Sequence, residues 1–304
     1  MRRDTVYITT PHGRLEAWLY IPSTPRPWPV VVLGCGVGAV KAAGLEPFAT
    51  AFQAAGFASV AFDYMGFGGS DGKPRHLVSV AAEYRDFQNV VAWVKGDSRF
   101  DSSRIVVWGT SFGGMHVTRL LAEDTTIAAG IAQCPCVDGY LASRLKPLRD
   151  SVSLTTLACL DWLLSFLSDD PIYVQAAATA GSNRVSLMNA PDVVSGWQLL
   201  HKGLEGQYVD PYSNRIVARS VLSFPMHRPA LRAAEILAPY LIVVSQFDSV
   251  APKPAAVKVA NDAAYGEVVE VPGGHFDLYK DGIGFEDNLA AQLEFLRRVI
   301  PLRQ

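Results

Sequence analysis

Polar and apolar residues alternate with period two along residues 5–10 and again along 14–21, on either side of Pro11-His12-Gly13, and this pattern predicts an antiparallel hairpin. The next segments read differently. Residues 29–33 form a short, continuous apolar run of the kind that suits a strand buried on both faces. Helical spacing over 46–55 precedes a strand at 58–63, and a longer helix over 79–94 precedes a strand at 104–108. A helix running to about 122 and a strand at 127–133 continue the alternation. It resumes only at 240–244, followed by a helix at 254–260, a strand at 267–271 and a helix at 286–299. Strands separated by helices predict an α/β fold, with a mostly parallel eight-stranded sheet covered by helices on both faces. Between residues 137 and 235 the rhythm is lost, and apolar helix-like runs are broken by Ala180-Gly181-Ser182-Asn183 and Asn189-Ala190-Pro191. We therefore expect a core made of 1–136 and 236–304 and an inserted helical cap over 137–235.

The chemistry concentrates where predicted strands end. Gly109-Thr110-Ser111-Phe112-Gly113 places a G-x-S-x-G sequence between a strand and a helix. A serine there occupies a tight turn at a helix N-terminus, with its hydroxyl exposed and flanked by residues small enough for close packing. A hydroxyl needs a base, and the base needs a carboxylate to orient it. Pro272-Gly273-Gly274-His275 supplies a histidine just after the last strand, and Ser245-Gln246-Phe247-Asp248 supplies a carboxylate just after the strand before it. Asp138, beyond the strand that ends at Gln133, is a weaker competitor for the acid. His116, on the serine's own helix, should point away, and His12, His76, His201 and His227 have no strand-end context.

The order serine, aspartate, histidine is that of the α/β-hydrolase fold. Acyl transfer on such a site requires donors for an oxyanion. The N–H of Phe112 is one candidate. The glycine-rich loop Gly34-Cys35-Gly36-Val37-Gly38 supplies the other, with Val37 preferred to Gly36 and Cys35. That loop lacks the G-K-[ST] ending of a phosphate loop and the spacing of a dinucleotide fingerprint. Cys35 is expected to line the pocket, as are Trp162 and Phe166 from the cap; Trp197 and Tyr212 are further cap aromatics that more often mean packed core.

Composition narrows the classes further. Of 304 residues 49% are hydrophobic and 18% charged, with a formal net charge of −2 and no basic run, which argues for a globular chain and against nucleic acid. The apolar segment 152–167 is too short for an upright membrane span and carries Asp161, so it reads as a buried or interface helix. Four cysteines in no metal-ligand spacing read as free thiols, and no metal or organic cofactor is implied. The N-terminus passes directly into the first strand without a secretory pattern, which makes cytoplasmic residence the expectation.

Gly34 to Lys41, Phe62 to Arg75 around Gly66-Phe67-Gly68-Gly69-Ser70-Asp71-Gly72, Gly109 to Gly113 and Gly274-His275-Phe276-Asp277 together resemble the α/β-hydrolases associated with microbial, especially fungal, polyketide pathways. That resemblance implies the constellation Ser111, Asp248 and His275, and activity as a thiohydrolase, acyltransferase or esterase. The group usually has His-Gly at the start of the oxyanion loop; this chain has Cys35-Gly36. The leading expectation is a serine hydrolase that cleaves an ester, thioester or lactone of a hydrophobic acyl group. An acyltransferase passing a polyketide chain to an alcohol is the alternative, and a non-catalytic binding protein on the same fold is another. A hydrophobic acyl substrate, a polyketide synthase carrier domain and a second copy of the chain are the partners to consider.

Overall fold

The computed structural model describes residues 2–202, 204 and 214–302. The chain opens with the hairpin β1 (Arg2–Thr10) and β2 (Gly13–Ile21), paired in register from Arg2 opposite Ile21 to Thr10 opposite Gly13. There follow β3 (Trp28–Gly34), α1 (Glu46–Ala54), β4 (Ala58–Phe62), α2 (Val80–Gly96), β5 (Phe100–Thr110), α3 (Phe112–Glu123) and β6 (Ala129–Gln133). The intervening segment holds α4 (Gly139–Ser143), α5 (Leu148–Leu164), β7 (Tyr173–Ala177), β8 (Ser186–Met188), α6 (Val193–His201) and β9 (Ile216–Val217), then three short 3-10 turns. The chain returns to the main sheet with β10 (Tyr240–Ser245), α7 (Lys253–Asp262), β11 (Gly266–Val271) and α8 (Phe285–Val299).

Eight strands form one sheet in the order β1-β2-β4-β3-β5-β6-β10-β11. The hairpin joins it antiparallel through β2 and β4; every later pairing is parallel. The apolar runs explain why. All residues of β3, β4, β6 and β10 are buried, which a parallel strand needs when helices cover both its faces. Trp108 lies level with Leu33, and Leu33 with Ala61, so these three share a face and Phe62 points to the other. On the first face Phe48 of α1 packs 5.2 Å from Trp108 and 5.4 Å from Phe285 of α8. On the second, Phe87 of α2 meets Phe62 edge-on at 5.2 Å. A T-shaped pair places ring edges against ring faces and fixes the helix on the sheet.

The chain passes from β3 outward to β4 and then crosses back to β5 on the opposite side of β3. The loops leaving β3 and β5 therefore diverge, and a crevice opens at the carboxyl ends of these two strands.

The inserted segment is not helical alone. β7 pairs parallel with β8 and antiparallel with β9 in a separate three-stranded sheet. These strands are too short to show a period in sequence, and β9 reaches β7 from more than 35 residues away, which is why a purely helical cap is the natural reading of the sequence. Nor is the segment 152–167 a buried helix: α5 buries only Leu154, Ala158 and Asp161, while Leu163, Phe166 and Leu167 face outward. No helix among the described residues is long and apolar enough to cross a membrane.

Candidate active site

Ser111 stands between β5 and α3 with φ 52° and ψ −115°, a strained conformation for a non-glycine residue. The surrounding backbone holds it there: its N–H donates to the Gln133 carbonyl at 2.9 Å, and its carbonyl accepts from Cys136 N–H at 2.9 Å and Gly114 N–H at 3.0 Å. The flanking glycines are sterically required. A Cβ on Gly109 would lie 2.3 Å from the Gly113 carbonyl oxygen, and one on Gly113 would lie 2.6 Å from the carbonyl oxygens of Gly34 and Cys35. The strand, the turn and the oxyanion loop thus touch backbone to backbone.

His275 follows Gly273, which adopts φ +94° and whose own Cβ would strike Asp277 at 2.5 Å. Asp277 accepts from Gly274 N–H at 2.7 Å and closes the turn. Asp248 leaves the end of β10, and Phe247 N–H donates to the Gly273 carbonyl at 3.0 Å, so the acid loop and the histidine loop are tied together. The three side chains meet. His275 Nδ1 donates to both Asp248 oxygens at 2.9 and 3.0 Å, and Nε2 lies 3.1 Å from Ser111 Oγ, placed to accept its proton. Asp248 also accepts from Val250 and Ala251 N–H at 2.9 and 2.7 Å. These donors fix the carboxylate, and the carboxylate fixes the tautomer of the ring.

The electrostatics match the geometry. Burial works against the Asp248 anion, but His275 and the two N–H donors outweigh it and hold its carboxyl below the usual value. For His275 burial works against the cation, yet Asp248 beside it prevails and raises the imidazole well above its ordinary 6.5. Such a pair favours the imidazolium that forms when a serine hydroxyl loses its proton.

The loop after β3 reaches the serine directly, since a Cβ on Gly36 would lie 3.3 Å from Ser111 Cβ and 3.8 Å from its Oγ. Val37 lines the cavity above the serine, and so does Phe112. Behind the loop sits a buried ionic cluster that the sequence reading did not pick out. Lys41 is wholly buried; its Nζ donates to Glu16 at 2.7 Å and contacts Asp63, and it lies 5.0 Å above the Trp18 ring. Asp63 additionally accepts from the backbone N–H of Lys41 at 2.7 Å and of Gly69 at 3.0 Å. This cluster anchors the loop after β3 to β2 and to the end of β4.

A cavity of about 630 Å³ opens over Ser111, within the usual size range of small-molecule sites. Its wall comes from Cys136, Leu145, Leu154, Met188, Val221 and Phe224 among others, mostly residues of the inserted segment, with Lys146, Asn189 and several serine and threonine hydroxyls among its polar members. Lys146 donates to the Ser186 carbonyl at 3.1 Å and to Asn189 at 3.0 Å, and burial lowers its pKa. None of these wall residues carries a sequence signal, because they come from scattered turns that only the fold assembles.

Three expectations change. Cys35 does not line the cavity: it is buried under the loop with its thiol 3.7 Å from the Phe62 carbonyl, and burial pushes its pKa up, so it serves as packing. Trp162 and Phe166 pack edge-on at 5.3 Å on the outer side of α5, away from the cavity, 49% and 71% exposed. Tyr212 lies outside the described residues. Asp138, the competing acid, caps α4 through Leu141 N–H and pairs with both forks of Arg228 at 3.0 Å. His116 turns away from Ser111 and meets Glu83 at 3.1 Å. Burial takes Glu83 up to about 8 and His116 down to about 3, so the two share a proton as neutral partners. Among the described residues no group of three or more His, Cys, Asp or Glu side chains is arranged to hold a metal.

Residues 12–165 match the family model described as X-Pro dipeptidyl-peptidase (S15 family). The chain belongs to that family. Over 290 residues it is 35% identical to the quorum-quenching protein AidA of Acinetobacter baumannii, covering 95% of this chain and 93% of that one. It is 25% identical to polyketide transferase af380 of Aspergillus fumigatus, over 98% and 99% of the two chains. The crystal structure of the α/β-hydrolase GrgF from a Penicillium species superposes with TM-score 0.80 at 24% identity, over 99% of this chain and 100% of that one. The fold is accordingly that of the α/β-hydrolases, and the S15-family chain is an enzyme of a group made up of hydrolases and acyltransferases.

Proposed function

We propose that this protein is a serine hydrolase that cleaves an ester, thioester or lactone of a hydrophobic acyl group through an acyl-enzyme intermediate. The observation that carries the reading is the run of short contacts from Asp248 through His275 to Ser111 Oγ, at 2.9 and 3.1 Å, on the floor of an apolar cavity. Ser111 Oγ attacks the acyl carbon and its proton passes to His275 Nε2. The oxyanion is met by the N–H groups of Phe112 and Val37, and His275 returns the proton to the leaving oxygen or sulfur as the tetrahedral intermediate collapses. Water, activated by the same imidazole, then releases the acid. The inserted segment acts as a cap that holds the acyl chain, and the likeness to a quorum-quenching protein supports including quorum-sensing signals among the substrates tested.

Transfer of the acyl group to an alcohol is the second reading. Two observations favour it: Ser111 and His275 are only 7% and 2% exposed, which limits water at the acyl-enzyme, and a relative is described as a polyketide transferase. On either reading a carrier domain presenting a thioester, or a second copy of this chain, is the partner to expect, and the cytoplasm the place of action.

A fluorophosphonate probe tests the nucleophile. Labelling should map to Ser111 alone and fall to background in Ser111→Ala and in His275→Ala. p-Nitrophenyl esters of increasing acyl length, with and without an added alcohol, then separate hydrolysis from transfer. A folded wild type that neither labels nor turns over any ester or thioester would sink the proposal in favour of a binding protein.

A further inference from the structure

The two faces of α5 have opposite characters. On one, Leu154 lines the cavity, and Asp161 is buried, accepting from Ile172 N–H at 2.7 Å and pairing with Arg219 at 3.1 Å. On the other, Leu148, Val152, Thr155, Cys159, Leu163 and Phe166 recur at intervals of three and four residues, and they therefore fall on one stripe. The stripe is open to solvent, with Leu148 80% and Leu163 57% exposed. No Asp, Glu, Lys or Arg lies between residues 151 and 160. With Leu160, Trp162 and Leu167 beside it, this apolar face amounts to several hundred Å², more than a lone soluble chain usually leaves in water and comparable with the roughly 800 Å² each partner gives to a stable interface.

We infer that this face of α5 is a homodimer interface, formed by antiparallel packing of α5 on the same helix of a second copy. Charge placement chooses that occupant. Arg144 and Arg149 stand exposed at the start of the helix and Asp169 and Asp170 just beyond its end, and none of the four makes an ion pair among the described residues. A two-fold axis through the middle of the stripe brings the basic end of each helix to the acidic end of its partner, as an isologous contact requires. A lipid surface fits less well: an interfacial helix carries Lys and Arg along its polar face, whereas this one ends in two aspartates on a chain of net charge −2. The axis falls next to Cys159, an exposed free thiol, so that two copies of it face each other across the interface. Thr155 of the stripe also lines the cavity, so the interface adjoins the cavity wall. The inference rests on the exposed surface and holds whichever reaction the site performs.

Light scattering on the full chain at about 100 µM, well above the Kd expected for an interface of this size, should give the mass of a dimer. A short bis-maleimide, which adds one thiol to each ring, should cross-link the wild type through Cys159 and fail with Cys159→Ser. Leu163→Asp and Phe166→Asp, both at exposed positions, should raise the dissociation constant at least tenfold while leaving the circular dichroism spectrum unchanged. Arg149→Asp should weaken the dimer, and Asp170→Arg added to it should restore association. A monomeric wild type, or a dimer indifferent to Leu163→Asp and not cross-linked at Cys159, would overturn the inference. Co-sedimentation of a monomeric wild type with phosphatidylcholine vesicles containing phosphatidylglycerol would replace the second copy with a lipid surface.

Discussion

The serine turn and the cap above it are built on opposite terms. Around Ser111 three backbone segments are in contact, Gly109 and Gly113 are each enforced by a carbonyl within 3 Å, and the strained serine is held by three main-chain hydrogen bonds. The cap has few such constraints. Its sheet is three short strands, its helix α5 buries three residues of seventeen, and it meets the core through scattered bonds such as Ser249 to Asp192 at 2.6 Å and Val217 N–H to the His76 carbonyl at 2.9 Å. Bond making demands atoms placed to a few tenths of an ångström, and only close-packed backbone delivers that. Recognition of an acyl chain demands volume and apolar surface, which many residue combinations supply equally well.

The comparison can be broken most severely at Asp248. Asp248→Asn should lower kcat by roughly 10³–10⁴-fold with little change in KM, since the neutral amide no longer supports the imidazolium or selects its tautomer. The pH profile gives the sign. Asp248 raises the His275 pKa, so wild-type kcat/KM falls as pH drops through a value above 6.5, and in Asp248→Asn that limb should move to lower pH. A limb that stays in place would separate Asp248 from the base.

Next in size is the ionic cluster behind the oxyanion loop. Lys41→Met leaves Asp63 buried without its cation and should cost about 3–5 kcal/mol in urea unfolding, with a fall in kcat as the loop shifts. A loss below 1 kcal/mol would show that the cluster does not anchor the loop. In the cap, Leu154→Phe should shorten the cavity and move the ratio of kcat/KM values toward shorter acyl chains by about 10–100-fold, or 1–3 kcal/mol, while labelling of Ser111 is unchanged. An unaltered chain-length profile would place the acyl group elsewhere.

The smallest effect is expected at Glu83. Glu83→Gln keeps a neutral donor for His116 and should change stability at pH 6 by less than about 1 kcal/mol. Its pH dependence is the sharper readout. Glu83 keeps its proton up to about 8 in the folded chain but only to its ordinary 4.5 when unfolded, so it makes stability fall as pH rises between these values. His116, with its pKa taken from 6.5 down to about 3, makes stability rise with pH over that interval. The two slopes oppose each other between 4.5 and 6.5; from 6.5 to 8 Glu83 adds a decline to the one that the raised His275 also produces, and Glu83→Gln should make that decline shallower. A slope between 6.5 and 8 unchanged in the variant would mean that Glu83 holds no proton there.

Much of this was legible in the chain alone. The continuous apolar runs specified buried parallel strands, because runs of five or six residues rich in Val and Ile and bounded by turn residues are too short for a buried helix, and the eight-stranded sheet follows them closely. Ser111, Asp248 and His275 could be named because each follows a strand at the edge where the fold collects its loops, and glycines beside Ser111 and His275 mark turns that a side chain would obstruct. The cap resisted that reading for a physical reason. Residues such as Leu154, Met188, Val221 and Phe224 form one wall only after the chain has folded back several times, and nothing local distinguishes them from ordinary core. Cys35, Trp162 and Phe166 illustrate the same limit, since which way a side chain turns depends on the element packed against it. Periodicity and turn chemistry, which act over a few residues, determined the strands, the serine turn and the strand-end positions of Asp248 and His275; the depth of the cavity, the buried Lys41–Asp63 pair and the outward stripe of α5 were decided by contacts between distant segments, whose free energy exists only in the assembled structure.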